Sequence, residues 1–517
     1  MKRRNFLQQA VAGAGVIGTL PALAKDMPKT PKGPNLLFVL TDQWRRQALG
    51  FMNDDPVLTP NLDRFAKQSV VFTKATSCTP VCTPDRAVLM TGNYPLTNGV
   101  LANDMRLDEN SQSLGVVCKR AGYRTGYVGK WHIDGMRGFT PPGKRRQGFD
   151  FWHKSIYHAP FDQPYYIQDN PEQIKVEGWA PTYATDTAIE FMKENARHPF
   201  ALVVSYAPPH NGGGKGMEDS YTPGMLDKDK NQKYGYGYKA PSEFEAPYRT
   251  DEFKDNPRRP NVKPVHGKFE SAPAMPGYFG AITALDHEFG RLIDWLEKTG
   301  ELDNTIVIFT SDHGEMMGSQ GRMTKGLWYE ESAGVPCLIG GGGLKARTVE
   351  SPFNAVDVMP TLLGLMGVKK PSMNGTDFSP LLRGADFDVP DYAFLSFYKG
   401  GAPENYRQWR AVYSKRYTYA VVDDSPSYRW TKIPDNGGVA LYDREKDPYQ
   451  MNPIYRGQGQ DALMDQMHAA LAAHLAAQND PFLEKVWTGR KDKTDAADKN
   501  ARYDALIDRY YKEDPLK

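Results

Sequence analysis

The chain has 517 residues, and its 64 Lys and Arg nearly balance 62 Asp and Glu, so no global field points to nucleic acid or an acidic membrane as a partner. Hydrophobic residues make up 40% and aromatic residues 12%, which is ordinary globular material and excludes a disordered chain. Four cysteines, Cys78, Cys82, Cys118 and Cys337, exclude a disulfide scaffold and lack the paired close spacings of a structural zinc site.

Residues 1–24 read as an address. Arg3-Arg4 stands ahead of Phe6-Leu7, a weakly apolar run rich in Gly and Ala follows, and Ala22-Leu23-Ala24 offers a cleavage site. This is the pattern of a twin-arginine export signal, with an ordinary secretory signal as the alternative. It predicts a periplasmic or secreted protein and the twin-arginine export machinery as a partner. Beyond residue 24 no apolar run nears the about 20 residues of a membrane span.

The first strand is expected at 36–40, an apolar run that ends in Thr41-Asp42-Gln43, and a helix follows at 61–68. Cys82-Thr83-Pro84-Asp85-Arg86 then opens a helix-like stretch that closes on Gly92. A short strand at 126–128 ends in Gly129-Lys130-Trp131-His132, and another at 201–206 ends in Ala207-Pro208-Pro209-His210. Ile282, Leu285, Phe289, Leu292 and Leu296 have helical spacing, and Gly300 is a natural stop. The strand at 305–310 ends in Ser311-Asp312-His313-Gly314-Glu315. Continuous β-branched and aromatic runs without polar alternation predict strands buried on both faces, hence a mostly parallel sheet between helices. Ligands of such sheets sit beyond the carboxyl ends of the strands. Four strand ends carrying Asp, His or Lys therefore predict one site. A Cys with an Arg four residues on adds a thiol beside a cation, which suits an anionic substrate.

Residues 211–275, rich in Gly, Pro, Tyr and Lys, read as a long irregular excursion near His210. We expect one α/β domain over 25–384 and a smaller α+β unit over 385–517 with a polar tail. In the latter, 393–397, 409–422 and 439–442 read as antiparallel hairpin strands. Leu463, Met467, Leu471 and Leu475 make a helical stripe that packs on them.

Taken together, the motifs resemble the sulfatase family, in the type whose active-site cysteine is oxidised to formylglycine. The matching stretches are residues 34–43, Cys82 to Gly92, 122–132, 311–315, Lys325 with 328–331, 357–362, and Leu441-Tyr442-Asp443 with Asp447-Pro448. They occur in family order across most of the chain. The resemblance implies an alkaline-phosphatase-like α/β fold, with a mostly parallel central sheet flanked by helices and a small C-terminal antiparallel sheet plus helix. It also implies a formylglycine-generating maturation enzyme as a partner. Two positions depart from the common pattern: Asp85 where Ser or Ala is usual, and Gln43 where many members carry a second Asp. The metal set implied is Asp42, Gln43, Asp312 and His313 with the modified Cys82. Calcium is the family default, and the imidazole makes magnesium or manganese an alternative.

The same resemblance assigns roles. Hydrated formylglycine at Cys82 is the nucleophile, and Asp312 takes its proton. Arg86, Lys130 and Lys325 neutralise sulfate oxygens, and His210 protonates the leaving alcohol. His132 deprotonates the second hydroxyl so that sulfate is expelled. The expected substrate is an O-sulfate on a carbohydrate. The segment 141–152, followed by Tyr157-His158 and Tyr165-Tyr166, supplies aromatic, imidazole and guanidinium groups for a sugar, with Arg146 and His158 as candidate substrate ligands. The alternatives are a phosphonate or phosphate ester hydrolase of the same superfamily, an aryl or choline sulfatase, and a non-catalytic glycan-binding protein.

Overall fold

The structure, a computed structural model, describes residues 33–483 except 136–137, 156–164, 212–236, 251–252, 254–258, 266–270, 399–407 and 423–437. The export signal, His158 and the polar tail thus lie outside the described residues, as does most of the first half of the excursion.

Among the described residues twelve strands precede the C-terminal region, and the first eleven are β1 (Asn35–Asp42), β2 (Ser69–Phe72), β3 (Ala75–Thr76), β4 (Arg124–Gly129), β5 (Phe151–Ser155), β6 (Tyr165–Ile167), β7 (Gln173–Lys175), β8 (Phe200–Pro209), β9 (Thr305–Ser311), β10 (Cys337–Gly341) and β11 (Arg347–Val349). Of these, all but β3 join one sheet in the order β11-β2-β10-β9-β1-β8-β4-β5-β6-β7. Its centre, β9-β1-β8-β4-β5, is parallel throughout. The antiparallel pairs lie toward the edges, where β10 meets β9 and β2, and β5-β6-β7 fold back. β3 pairs separately with β12 (Phe353–Asn354).

Every residue of β1 is buried, because the sheet is covered on both sides. Leu36, Phe38 and Leu40 face one apolar cluster with the helices Cys82–Thr91 and Ala355–Leu365. Leu37 and Val39 face the other, with Ala180–Glu194 and Met275–Thr299. Alternation by one residue thus serves two cores, which is why the strand reads as uniformly apolar. Met275–Thr299 ends on Gly300 at φ 73°, whose N–H returns to Glu297 and Leu296 carbonyls. That left-handed turn is why a glycine stands there. The family-like stretch at 357–362 is structural: Asp357 accepts from the Asn354 N–H and caps the helix Ala355–Leu365.

Strands β13 (Ala393–Phe397), β14 (Trp409–Tyr413), β15 (Tyr417–Val422) and β16 (Val439–Asp443) form the expected antiparallel sheet. The helix Asp461–Ala477 packs on it through Met464, Met467, Leu471 and Leu475. Met464 replaces Leu463 in the expected stripe, and Leu463 lies at the edge of the contact. Residues 237–250 are not irregular throughout, since Ser242–Glu245 is helical and Tyr238 is buried. Among the described residues, no helix is long and apolar enough to cross a membrane.

His474, on that C-terminal helix, stacks on Phe394 and meets Tyr94 edge-on. Burial, opposed by Asp480 and aided by Arg410, pushes its pKa down to about 4. The folded ring is therefore neutral where the unfolded one, near pH 6.5, already binds a proton. Stability is full above pH 6.5 and falls as pH drops toward 4. In urea titrations at pH 7 and pH 5, the loss should be smaller in His474→Phe than in the parent by about 1–2 kcal/mol, after allowing for partial exposure.

Candidate active site

The carboxyl ends of β1, β9, β4 and β8 bring their polar residues to one buried place. Cys82 enters it at the first position of the helix Cys82–Thr91, after an extended Val81. The turn before it is braced by Asp85, whose Oδ1 accepts from the Cys78 and Thr79 N–H groups at 2.8 and 3.0 Å. The unusual Asp at this position therefore has a local structural task.

Arg86 ties the site together. Its Nε donates to Asp312 Oδ2 at 2.8 Å and its Nη2 to Asp42 Oδ2 at 2.9 Å. Nη1 donates to the Lys130 carbonyl and to Ser205 Oγ. One side chain, 1% exposed, thus clamps the ends of β1, β9, β4 and β8. Lys130 Nζ adds a second cation on Asp42 Oδ2 at 2.5 Å. Lys325 Nζ lies 3.3 Å from Cys82 Sγ and donates to Gln43 Oε1 at 2.7 Å.

Gln43, at φ 70°, is itself held. Its Nε2 donates to Glu315 Oε2 at 2.6 Å and to Tyr238 Oη at 3.1 Å. Glu315 also accepts from the Met317 and Thr324 N–H groups, and so fixes the loop that carries Lys325. Glu315, Tyr238 and Ser205 belong to the site although the motif reading did not select them. Glu315 was legible as the last residue of its strand-end motif. Tyr238 and Ser205 carried no local signal.

The local charges determine what ionises. Burial and the Cys82 thiolate oppose the charge on Asp42, yet Lys130, His210 and Arg86 hold it well below the usual carboxylate range. Burial and Asp42 together push Asp312 up to about 6. Burial opposes ionisation of Cys82 too, but Lys130, Lys325, His313 and His132 outweigh it and hold the thiol well below its usual value. His210 is pushed down to about 4 by burial and then by Lys325. His132, just past β4, hydrogen-bonds through Nε2 to Asp104 at 3.0 Å.

Asp42, Cys82, Asp312 and His313 offer donor atoms that all lie within 4.8 Å of one another. His313 Nδ1 is turned to the Gly314 carbonyl at 2.9 Å, so it carries the hydrogen and leaves the Nε2 lone pair facing the cluster. Nε2 stands 3.7 Å from Asp42 Oδ1 and 3.6 Å from Asp312 Oδ1. In both carboxylates Oδ2 is taken by Arg86 or Lys130 and Oδ1 faces inward. Two inward oxygens, an imidazole nitrogen and the atom at position 82 are a donor set that fits a divalent cation. Gln43 Oε1 sits at the edge of this set through its bond to Lys325.

Arg146 is corrected as a substrate ligand. It is 2% exposed and spends its guanidinium on the Thr140 and Gln168 carbonyls and on Asp169. It also lies over the Trp152 ring at 5.2 Å. Phe149 and Trp152 pack with Tyr127 and Trp131 in the core, so these aromatics do not face a sugar.

The site therefore joins a nucleophile position, three cations, two imidazoles and a cation-binding cluster. The sequence model described as sulfatase matches residues 34–368. The chain belongs to the sulfatase family. A second model, the C-terminal region of N-sulphoglucosamine sulphohydrolase, matches 318–477. The chain is 36% identical to an ulvan-active sulfatase of Formosa agariphila, over 90% of this chain and 87% of that one. It is 28% identical to an endo-4-O-sulfatase of Bacteroides thetaiotaomicron, over 90% and 96%. A solved structure titled for glycosaminoglycan metabolism by Bacteroides thetaiotaomicron matches with a TM-score of 0.76 at 27% identity, covering 89% of this chain and 99% of that one. The protein is thus a hydrolase of sulfate esters.

The clamp makes a stability prediction for this sulfatase. Arg86→Ala leaves Asp42 and Asp312 buried without their shared cation, a loss of about 3–5 kcal/mol. Urea unfolding in chelator should show the drop. Arg86→Lys, which keeps the charge but not the fork, should lose less.

Proposed function

We propose that this sulfatase hydrolyses an O-sulfate of a carbohydrate through formylglycine formed at Cys82 and a divalent cation, after export by the twin-arginine route to the periplasm or beyond. The observation that carries the chemistry is the Cys82 side chain, wholly buried yet surrounded by Lys130, Lys325, His132 and His313. A thiol is a poor donor for a hard cation, and an oxygen at position 82 would suit the two inward carboxylate oxygens better. That mismatch supports conversion of Cys82. The names of the relatives, an ulvan-active sulfatase and an endo-4-O-sulfatase, support a glycan substrate.

When formed, formylglycine supplies a hydrated aldehyde whose hydroxyl can attack sulfur and whose carbonyl can re-form. A divalent cation held by Asp42, Asp312 and His313, with Gln43 as a further candidate ligand, supplies Lewis acidity and neutralises negative charge. Calcium is the first expectation, with magnesium or manganese as alternatives.

The chain's own residues do the rest. Lys325 and Lys130 bind sulfate oxygens and take up charge as the S–O bond breaks. Arg86 holds both carboxylates in place and keeps Asp42 ionised. Asp312, whose Oδ1 faces position 82, takes a proton from the attacking hydroxyl. His210 donates a proton to the leaving alkoxide. The free enzyme's low His210 pKa is opposed by the bound sulfate anion, which favours the imidazolium. His132 takes the remaining hydroxyl proton at position 82 as sulfate departs. In the export reading, the maturation enzyme acts before the folded protein leaves the cytoplasm.

Peptide mass spectrometry across Cys82 of active protein should find the aldehyde, and an unmodified thiol in fully active enzyme would refute the mechanism. Cys82→Ala should reduce kcat at least about 1,000-fold with an unchanged circular dichroism spectrum. Chelation should abolish activity, and re-addition of calcium, magnesium and manganese in turn should rank the metals. A panel of sulfated saccharides, aryl sulfates, choline sulfate and phosphate esters tests the substrate. The largest kcat/KM is expected on a saccharide O-sulfate, and His158→Ala should lower it there more than on an aryl sulfate.

A further inference from the structure

We propose that Asp104 is a positioning residue for His132: its carboxylate accepts the Nε2 hydrogen and so presents Nδ1 as the ring's proton acceptor at position 82. The inference rests on the role given to His132 above.

Asp104 Oδ1 lies 3.0 Å from His132 Nε2. An ionised carboxylate only accepts, so Nε2 carries the hydrogen and the lone pair of the neutral ring is on Nδ1. Nδ1 is buried, and His132 is among the groups that hold the Cys82 thiol below its usual value. The pair is asymmetric: the His132 side chain is 2% exposed and that of Asp104 is 38% exposed. One end is therefore inside the site and the other reaches solvent.

An incidental surface ion pair would need no special backbone, yet this one has it at both ends. Asp104 has φ 63° and His132 has φ 60°, a left-handed conformation that non-glycine residues adopt at a cost. Neighbouring bonds enforce it. Asn103 Oδ1 accepts from the Thr83 N–H at 3.0 Å, and the Asp104 N–H donates to Thr83 Oγ1 at 3.2 Å. Thr83 is the residue next to Cys82, so the loop that carries Asp104 is registered on the nucleophile itself. Beyond it, the Leu107 N–H donates to the Ile133 carbonyl at 3.0 Å, and Arg106 bridges Asp134. The segments 103–107 and 132–134 are thus stitched together with the Asp104–His132 bond nearest the site.

The chemistry gives the bond a use. With formylglycine formed at Cys82, His132 Nδ1 would take the proton of the remaining hydroxyl as sulfate is expelled; the O–H electron pair would become the C=O bond, and the C–O bond to sulfate would break with its electrons on sulfate. The ring becomes an imidazolium, and the Asp104 charge stabilises it without taking the proton.

The test is Asp104→Ala, with Asp104→Asn as the shape-conserving second variant, in full-length enzyme whose formylglycine occupancy has been matched by mass spectrometry. Selective 15N-histidine labelling is tractable with ten histidines, and His132→Ala identifies the resonance. The parent should show a pyrrole-like Nε2 and a pyridine-like Nδ1, and both variants should lose that tautomer bias. In kinetics, kcat on the best sulfate ester should fall about 10–100-fold for Asp104→Ala. KM should fall with it, because the affected step follows release of the alcohol. Adding Asp104→Ala to His132→Ala should cost nothing more. Unchanged 15N shifts in both variants, or a kcat within about twofold of the parent, would overturn the proposal. If the parent turned over no sulfate ester, the chemistry assigned to Cys82 would fail instead, and the 15N shifts would still decide whether Asp104 sets the tautomer of His132.

Discussion

A guanidinium buried between two carboxylates organises this molecule. Arg86 reaches from the second turn of its helix to Asp42 at the end of β1 and Asp312 just past β9, while its remaining donors take Ser205 and the Lys130 carbonyl. Burying either carboxylate alone would cost several kcal/mol, and only an arrangement with the cation between them makes the pair tolerable. Because Arg86 consumes the outer oxygens, the inner ones converge on Cys82 and His313. The structural bond and the cation-binding geometry are thus two consequences of one placement.

Around that clamp the backbone is bent in ways the sheet does not require. Gln43, Asp104, His132, Met317 and Thr324 all have positive φ, and each lies in a loop that carries or supports a site residue. Strain of this kind persists only where the surroundings impose it. Here hydrogen bonds do so: Glu315 to Thr324 and Met317, Gln43 to Lys325, and Asp104 to Thr83. The functional groups are aimed by hydrogen bonds more than by the strands from which they depart.

The C-terminal sheet takes part as well. Trp409 on β14 donates to the Gly326 carbonyl, and Tyr413 on the same strand donates to the Trp328 carbonyl. Trp328 and Leu327 pack against Trp409 and Tyr442. The loop bearing Lys325 is therefore pinned from one side by Glu315 and from the other by the second sheet. That contact explains why a smaller unit that places no catalytic residue in the site among the described residues still bears on it.

The sequence by itself determined the parallel core and the strand ends that carry Asp42, Lys130, His210 and Asp312. It did so because a strand buried on both faces must be apolar along its length, which leaves polar residues only where the strand stops. It also placed Cys82 and Arg86 together at the start of one helix, but that Arg86 would spend its guanidinium on Asp42 and Asp312 was visible only in the fold. Arg146 and the aromatics near it were misread, since a guanidinium beside Trp looks the same in sequence whether it faces a sugar or a core. Only the tertiary structure decided that Thr140, Gln168 and Asp169 would use it up. Tyr238, Ser205 and Asp104 likewise carried no pattern. Their importance arises from contacts between residues far apart in the chain, such as Tyr238 with Glu315 and Asp104 with His132, and no local periodicity encodes a partner that the fold alone brings within hydrogen-bond distance.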